Sequence, residues 1–202
     1  MRLFKIFNSS VVLLLVLLAY SNVFSLPLPS SPDTPNALYH TYEDTSLKYS
    51  IKGPKDWFLY VQNEFGTGIP GMISVGNANL RAIFSSYNLN DRKKWPTKSA
   101  MMMIYKIKNR NNFKALDFLS KLNADKNELV ESPHLIKLGE NEWAVQTEKY
   151  KTPSENDRIQ LTFVTISNDF IIEIECFVDE KYFDTVGPLF YESIKAAQFY
   201  QK

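Results

Sequence analysis

The sequence predicts an α+β fold in which an antiparallel sheet is covered by helices. Three observations predict it. Arg158–Ser167 and Phe170–Val178 read as strands flanking Asn168-Asp169, the centre of a two-residue hairpin. Two segments, Phe113–Leu122 and Asp179–Ala197, carry apolar residues at helical spacing. The order of segments is strands, a helix, three strands and a terminal helix, which separates helices from strands instead of alternating them.

Residues 1–25 precede the fold. Arg2 and Lys5 come before the unbroken apolar run Val11–Ala19, and small residues follow at Ser21 and Ser25, the three-part layout of a secretory signal. The run is about half of the ~20 residues a spanning helix needs. A removable signal is therefore expected, cut after Ser25 or Ser21. Residues 26–45, LPLPSSPDTPNALYHTYEDT, hold four prolines and no period of two or 3.6, the composition of a tether. The folded domain is expected over residues 46–202.

Within it, Leu47, Tyr49 and Ile51 alternate with Lys48, Ser50 and Lys52, a half-buried strand that ends at Gly53-Pro54. Trp57–Val61 and Met72–Ser86 supply further strand material, divided by a glycine-rich stretch from Gly66 to Gly76. In Ser99–Lys108 the apolar residues are consecutive, which predicts a strand covered on both faces. Phe113, Leu116, Leu119 and Leu122 form the stripe of the first helix, with Asn111 and Asn112 as candidate caps. Leu135–Leu138 and Asn141–Lys151 follow, with a turn at Glu140-Asn141 and Trp143, Val145 and Thr147 on one face.

The hairpin register follows from arithmetic. With residues 168 and 169 in the turn, Ile159 faces Val178, Leu161 faces Cys176 and Phe163 faces Ile174, all apolar. The other face pairs Gln160 with Phe177, Thr162 with Glu175 and Val164 with Glu173. A slip of one residue exchanges the faces, so the register is strongly specified. In the last segment Phe183, Val186, Phe190, Ile194 and Ala197 share a stripe that Pro188 interrupts, predicting a kink or two shorter helices.

Composition narrows the function classes. The 202 residues hold 23 Lys+Arg and 22 Asp+Glu, a formal charge of +1, with no long run of like charges, so no nucleic-acid partner is expected. Loss of Arg2 and Lys5 with the signal leaves 21 basic against 22 acidic residues. One Cys and two His exclude a disulfide framework and a Cys/His zinc site by count. No Asn-x-Ser/Thr acceptor follows the signal, which favours a bacterial envelope or exported protein, secreted or periplasmic.

Tyr49-Ser50-Ile51-Lys52-Gly53-Pro54-Lys55-Asp56-Trp57 has the pattern aromatic-x-aliphatic, two residues, Pro, two residues, Trp. It resembles the opening of the PsbP-like superfamily, which includes photosystem PsbP proteins, DcrB-like envelope proteins and a Ran-binding import factor. The element order agrees over about residues 46–202, including the three-stranded run Glu142–Val178 and the end of the chain at Ser193-Ile194 and Phe199. The resemblance implies an α/β/α sandwich with a central antiparallel sheet and helices covering it, and a binding or assembly role without an active site. Physically, Tyr49 and Ile51 face inward, Pro54 sets a turn and Trp57 closes the core end.

The reactive residues read as structural. Cys176 lies on the apolar hairpin face, where burial and Glu175 both disfavour the thiolate. His40 falls in the tether and His134 in a loop after Pro133, neither with a nearby carboxylate. Glu173 and Glu175, roughly 6.8 Å apart by strand rise, read as charges on a solvated face. Gly66-x-Gly68-x-x-Gly71 lacks the Lys-Ser/Thr ending of a phosphate cradle. Arg92, Lys93 and Lys94 beside Trp95 suit a protein partner or peripheral membrane contact. The expected function is therefore a non-catalytic, exported binding or assembly module without a cofactor or metal, contacting a protein partner through Gly66, Gly68, Gly71 and Arg92, Lys93, Lys94, Trp95. Two readings stand beside it: a hydrolase or metal-dependent enzyme using surface carboxylates Glu173 and Glu175, and a photosystem lumen subunit if the source is photosynthetic.

Overall fold

A computed structural model describes residues 40–46, 48–61, 78–89, 99–122, 128–151 and 157–200. The expected signal and residues 26–39 of the tether lie outside the described residues. In chain order the strands are β1 (Thr41–Asp44), β2 (Tyr49–Lys52), β3 (Phe58–Val61), β4 (Ala78–Ser85), β5 (Ala100–Lys108), β6 (Glu128–Leu138), β7 (Asn141–Lys151), β8 (Asp157–Ser167), β9 (Phe170–Asp179) and β10 (Gln198–Phe199). The helices are α1 (Ala115–Leu122) and α2 (Phe183–Lys195), the latter entered through a 3-10 turn at Glu180–Tyr182.

The strands form two sheets, both antiparallel: seven strands in the order β3-β4-β5-β9-β8-β7-β6, and three in the order β1-β2-β10. The class is α+β, as expected. The covering layer differs from helices alone, because the small sheet shares it with α2. No helix among the described residues is long and apolar enough to cross a membrane.

The β8–β9 register is the one the sequence arithmetic predicts, with Ile159 opposite Val178, Leu161 opposite Cys176 and Phe163 opposite Ile174. Asn168 takes a positive φ of 54°, which an Asn tolerates in a tight hairpin turn. The alternating side chains divide the large sheet into two faces. The inner face carries Ala82, Phe84, Met102, Ile104, Trp143, Val145, Leu161, Phe163, Ile172, Ile174 and Cys176, packed against Tyr49 and Ile51 of β2 and Phe190 and Ile194 of α2. Trp57 closes this core edge-on against Phe190, at 5.9 Å between ring centroids. At the open end of the hairpin, Arg158 pairs with Asp179 at 3.0 Å and donates to Ser99 at 3.1 Å, tying β8, β9 and the start of β5 together.

Several expectations are corrected. The last residues of the expected tether form β1, whose Tyr42 and Asp44 are buried. Four residues are too few to show a period, and β1 exists only because β2 pairs with it. The β6–β7 turn is Gly139-Glu140, one residue earlier than expected, since Gly139 takes a φ of +61° and a Cβ there would meet the Lys195 carbonyl. The start of α1 is organised by Asn109, not by Asn111 or Asn112: Phe113 N–H donates to Asn109 Oδ1 and Asn109 Nδ2 to the Phe113 carbonyl, both at 2.9 Å. β6 runs from Glu128, well before Leu135, through Pro133 and two register shifts on the sheet edge. α2 continues through Pro188 as one helix, held by Phe190 and Ile194 in the core.

Gly53 follows β2 where a side chain would overlap the fully buried Phe84 ring. Gly53→Ala is expected to destabilise the fold by about 1–3 kcal/mol, the range for overpacking a core, read as a lower urea midpoint at unchanged slope.

Candidate functional site

The outer face of the large sheet, opposite the main core, carries the unusual chemistry. Three rows of side chains cross it. Tyr105, Glu173, Val164 and Ala144 are successive cross-strand partners; so are Met103, Glu175, Thr162 and Gln146; so are Met101, Phe177, Gln160 and Glu148. The even alternation of β5, β9, β8 and β7 puts these side chains on the same side. The polar members form a patch between two apolar clusters. One contains Leu80, Ile83, Met101, Met103 and Phe177. The other seats α1, with Leu119 fully buried against Ala144, Val164 and Ile171.

Glu173 and Glu175 therefore do not stand on a solvated face. Glu173 is only 7% exposed and Glu175 is half-buried. Strand alternation was read correctly, but β5 and the flanking clusters cover this face. Among the described residues neither carboxylate has a salt-bridge partner. Burial, and then the neighbouring Glu175, hold the Glu173 carboxyl well above the usual carboxylate range. Burial likewise pushes Glu175 up to about 7, with the Glu148 charge adding to the rise and the Tyr105 hydrogen bond opposing it. Gln160 Nε2 donates to Glu175 Oε1 at 3.3 Å and to Thr162 Oγ1 at 3.2 Å. Tyr105 is itself held well above the usual phenol value, first by burial and then by Glu175 and Glu173.

Chemically, this is a pair of carboxyls that keeps a proton where isolated carboxylates would be charged. No group of three or more His, Cys, Asp or Glu among the described residues is placed to hold a metal ion. The enzyme reading required surface carboxylates, and Glu173 is not on the surface. The sequence singles out neither Tyr105 nor Glu148, and it gives Gln160 only as the cross-strand partner of Phe177. The consecutive apolar residues of β5 signalled that both its faces are covered, but the pairing of β5 with β9 is long-range and has no local signature.

The other singled-out residues disperse. Cys176 is fully buried in the main core, its thiol raised by burial and then by Glu175, which fits a structural role. His134 lies on edge strand β6 and not in a loop; its Nε2 is 3.5 Å from Glu131, a carboxylate three residues earlier. Gly66, Gly68, Gly71, Arg92, Lys93, Lys94 and Trp95 lie outside the described residues. The described residues that flank them are Val61 and Ala78 for the first segment and Leu89 and Ser99 for the second. Two hollows open elsewhere, about 130 Å³ beside Asp157, Asp179, Glu180 and Lys181, and about 450 Å³ beside Phe183, Gly187, Pro188 and Tyr191.

No protein-family profile matches the chain, and no curated protein sequence does. Solved structures match its fold. The solution structure of cyanobacterial PsbP (CyanoP) from Synechocystis sp. PCC 6803 overlaps 86% of this chain and 99% of its own, at 19% identity and a TM-score of 0.53. A crystal structure from Bacteroides thetaiotaomicron VPI-5482 overlaps 82% of this chain at 14% identity and a TM-score of 0.52; this chain spans half of its length. The Ran-binding protein Mog1p of Saccharomyces cerevisiae overlaps 79% of this chain and 94% of its own at 9% identity, with a TM-score of 0.44. The chain thus has a PsbP-like fold, resting on the first two.

The carboxyl pair sets a pH dependence. Both groups hold protons more tightly folded than unfolded, where their value is 4.5. Their contribution to stability is therefore fully present below pH 4.5 and is lost as pH rises through the folded values, about 7 for Glu175. Urea midpoints are expected to fall between pH 5 and pH 8, and Glu173→Gln to flatten that fall; a rise over this range would refute the assignment. Cys176 is expected to react with a thiol reagent only as fast as the protein unfolds, measured by modification kinetics in increasing urea.

Proposed function

We propose that the chain is an exported, non-catalytic binding or assembly module that uses the PsbP-like fold as a scaffold for a protein partner. Its layers read as an α/β/α sandwich, α2 with the small sheet on the inner face and α1 on the outer. The observation that carries a binding role is the exposed edge of the large sheet. On β6, Leu129, Val130 and Leu135 are 43%, 56% and 47% exposed, aliphatic side chains on a strand with one edge unpaired among the described residues. An open strand edge offers backbone donors and acceptors, and aliphatic neighbours add buried area when a protein segment docks. The reactive groups support the same reading from the other side, because Cys176 and Glu173 are sealed within the fold.

The remaining contacts are assigned to the two segments that the sequence singles out, with Gly66, Gly68 and Gly71 in one and Arg92, Lys93, Lys94 and Trp95 in the other. Crosslinking the native exported protein, followed by mass spectrometry, tests the proposal. Crosslinks to one partner protein are expected on β6 and on Lys93 or Lys94. Lys substitution at Val130, or Ala at Trp95, should then lower partner affinity about tenfold or more, the loss of roughly 1.4 kcal/mol that a single interface anchor supplies. Unchanged affinity in both variants, with the fold intact, would overturn the assignment of the surface.

A further inference from the structure

We infer that α1 is a releasable cover on the outer face, held down while the Glu173–Glu175 pair keeps a proton and let go when both carboxyls are ionised.

The geometry places the pair at the border of the seat of α1. On the outer face, Ile171 precedes Glu173 by two residues on β9, and Val164 is the direct cross-strand partner of Glu173. Those two residues, with Ala144, are the platform on which Leu119 is buried. A charge at Glu173 thus stands beside the apolar contact that holds α1 in place. Lifting α1 opens that border to water and rehydrates the charge.

Leu119 is the fully buried residue of the helix, with Ala115, Leu116 and Phe118 packed half-buried around the same cluster. The helix is eight residues long, below the roughly 12–15 at which isolated helices become even marginally stable, so its order depends on docking. It is pinned at its start. Asn109 bonds both backbone groups of Phe113 and donates its own N–H to the Asp169 carbonyl in the hairpin turn at 2.8 Å. Asn112, with a φ of +51°, lies inside that pinned loop, and only Lys114 stands between Phe113 and the first helical residue, Ala115. Such a segment can swing from one end without disturbing the sheet.

The charges around the pair do not offset its ionisation. From β5, Tyr105 faces it, its phenol held well above the usual value first by burial and then by the two carboxylates, so it stays neutral. From β7, Glu148 adds a like charge. From β8, Gln160 and Thr162 are uncharged, and Arg158, at the strand's end, is paired with Asp179. On β4, Arg81 pairs with Asp44 of the small sheet. On α1, Leu119 meets the sheet, whereas Asp117 and Lys121 are exposed, with Lys121 Nζ over the Phe113 ring at 4.1 Å.

Hydrogen exchange with mass spectrometry on the full chain, between pH 5 and pH 8 and corrected for intrinsic rates, tests this. Protection of residues 115–122 is expected to fall at least about tenfold, the equivalent of one pKa unit, while amides of β8 and β9 keep theirs. In Glu173→Gln and Glu175→Gln the fall should be absent. Three results would overturn the inference: constant protection of α1 across this range, a loss shared equally by β8 and β9, or a fall that persists in both Gln variants. Should either variant fail to fold, the first two outcomes in the wild-type protein still decide it.

Discussion

Strand β9 lies between β5 and β8, and its register against them sets both faces of the large sheet. Ile172, Ile174, Cys176 and Val178 point into the main core, and Ile171, Glu173, Glu175 and Phe177 point away from it. The two-residue turn at Asn168-Asp169 joins the strands at a spacing that keeps those sets apart. A shift by one residue would place two carboxylates among Trp143, Phe163 and Phe190, a cost of several kcal/mol per buried charge. The main core, the seat of α1 and the polar patch all follow from this one alignment.

The fold tolerates polar burial where it gains definition from it. Gln160, Thr162 and Glu175 are linked by hydrogen bonds across the outer face. In the main core, by contrast, the Trp143 indole N–H and the Tyr49 hydroxyl have no hydrogen-bond partner among the described residues. Both rings meet Phe199 of β10, with centroids at 6.1 Å and 5.3 Å. Aromatic packing across three distant parts of the chain outweighs two unmet polar atoms, each costing about 1–3 kcal/mol. The small sheet is thus held as much by these rings as by its short ladders.

What was legible in the sequence is what local pattern determines. The β8–β9 hairpin combined two periods of alternation with a turn dipeptide, so even its register could be derived. The stripes of α1 and α2 were legible for the same reason, and Cys176 fell on the apolar face by parity alone. Other features depend on partners far along the chain. β1 and β10 are four and two residues long and exist through β2. The side on which Glu173 points could be read from alternation, but its burial could not, because that depends on β5 and on the clusters assembled around it. The continuity of α2 through Pro188 is likewise a tertiary outcome, since the core contacts of Phe190 and Ile194 override a local break.

Edge strand β6 has two register shifts, between Leu129 and Glu131 and between Glu131 and His134, and a proline that lacks an N–H. These irregularities spoil the even pleat that stacking into a cross-β array requires. A second copy of β6 cannot mirror the first along its whole length, which disfavours its addition beyond the seven strands seen among the described residues. The exposed aliphatic residues of β6 thus sit on an edge whose irregular pleat works against pairing with an identical strand.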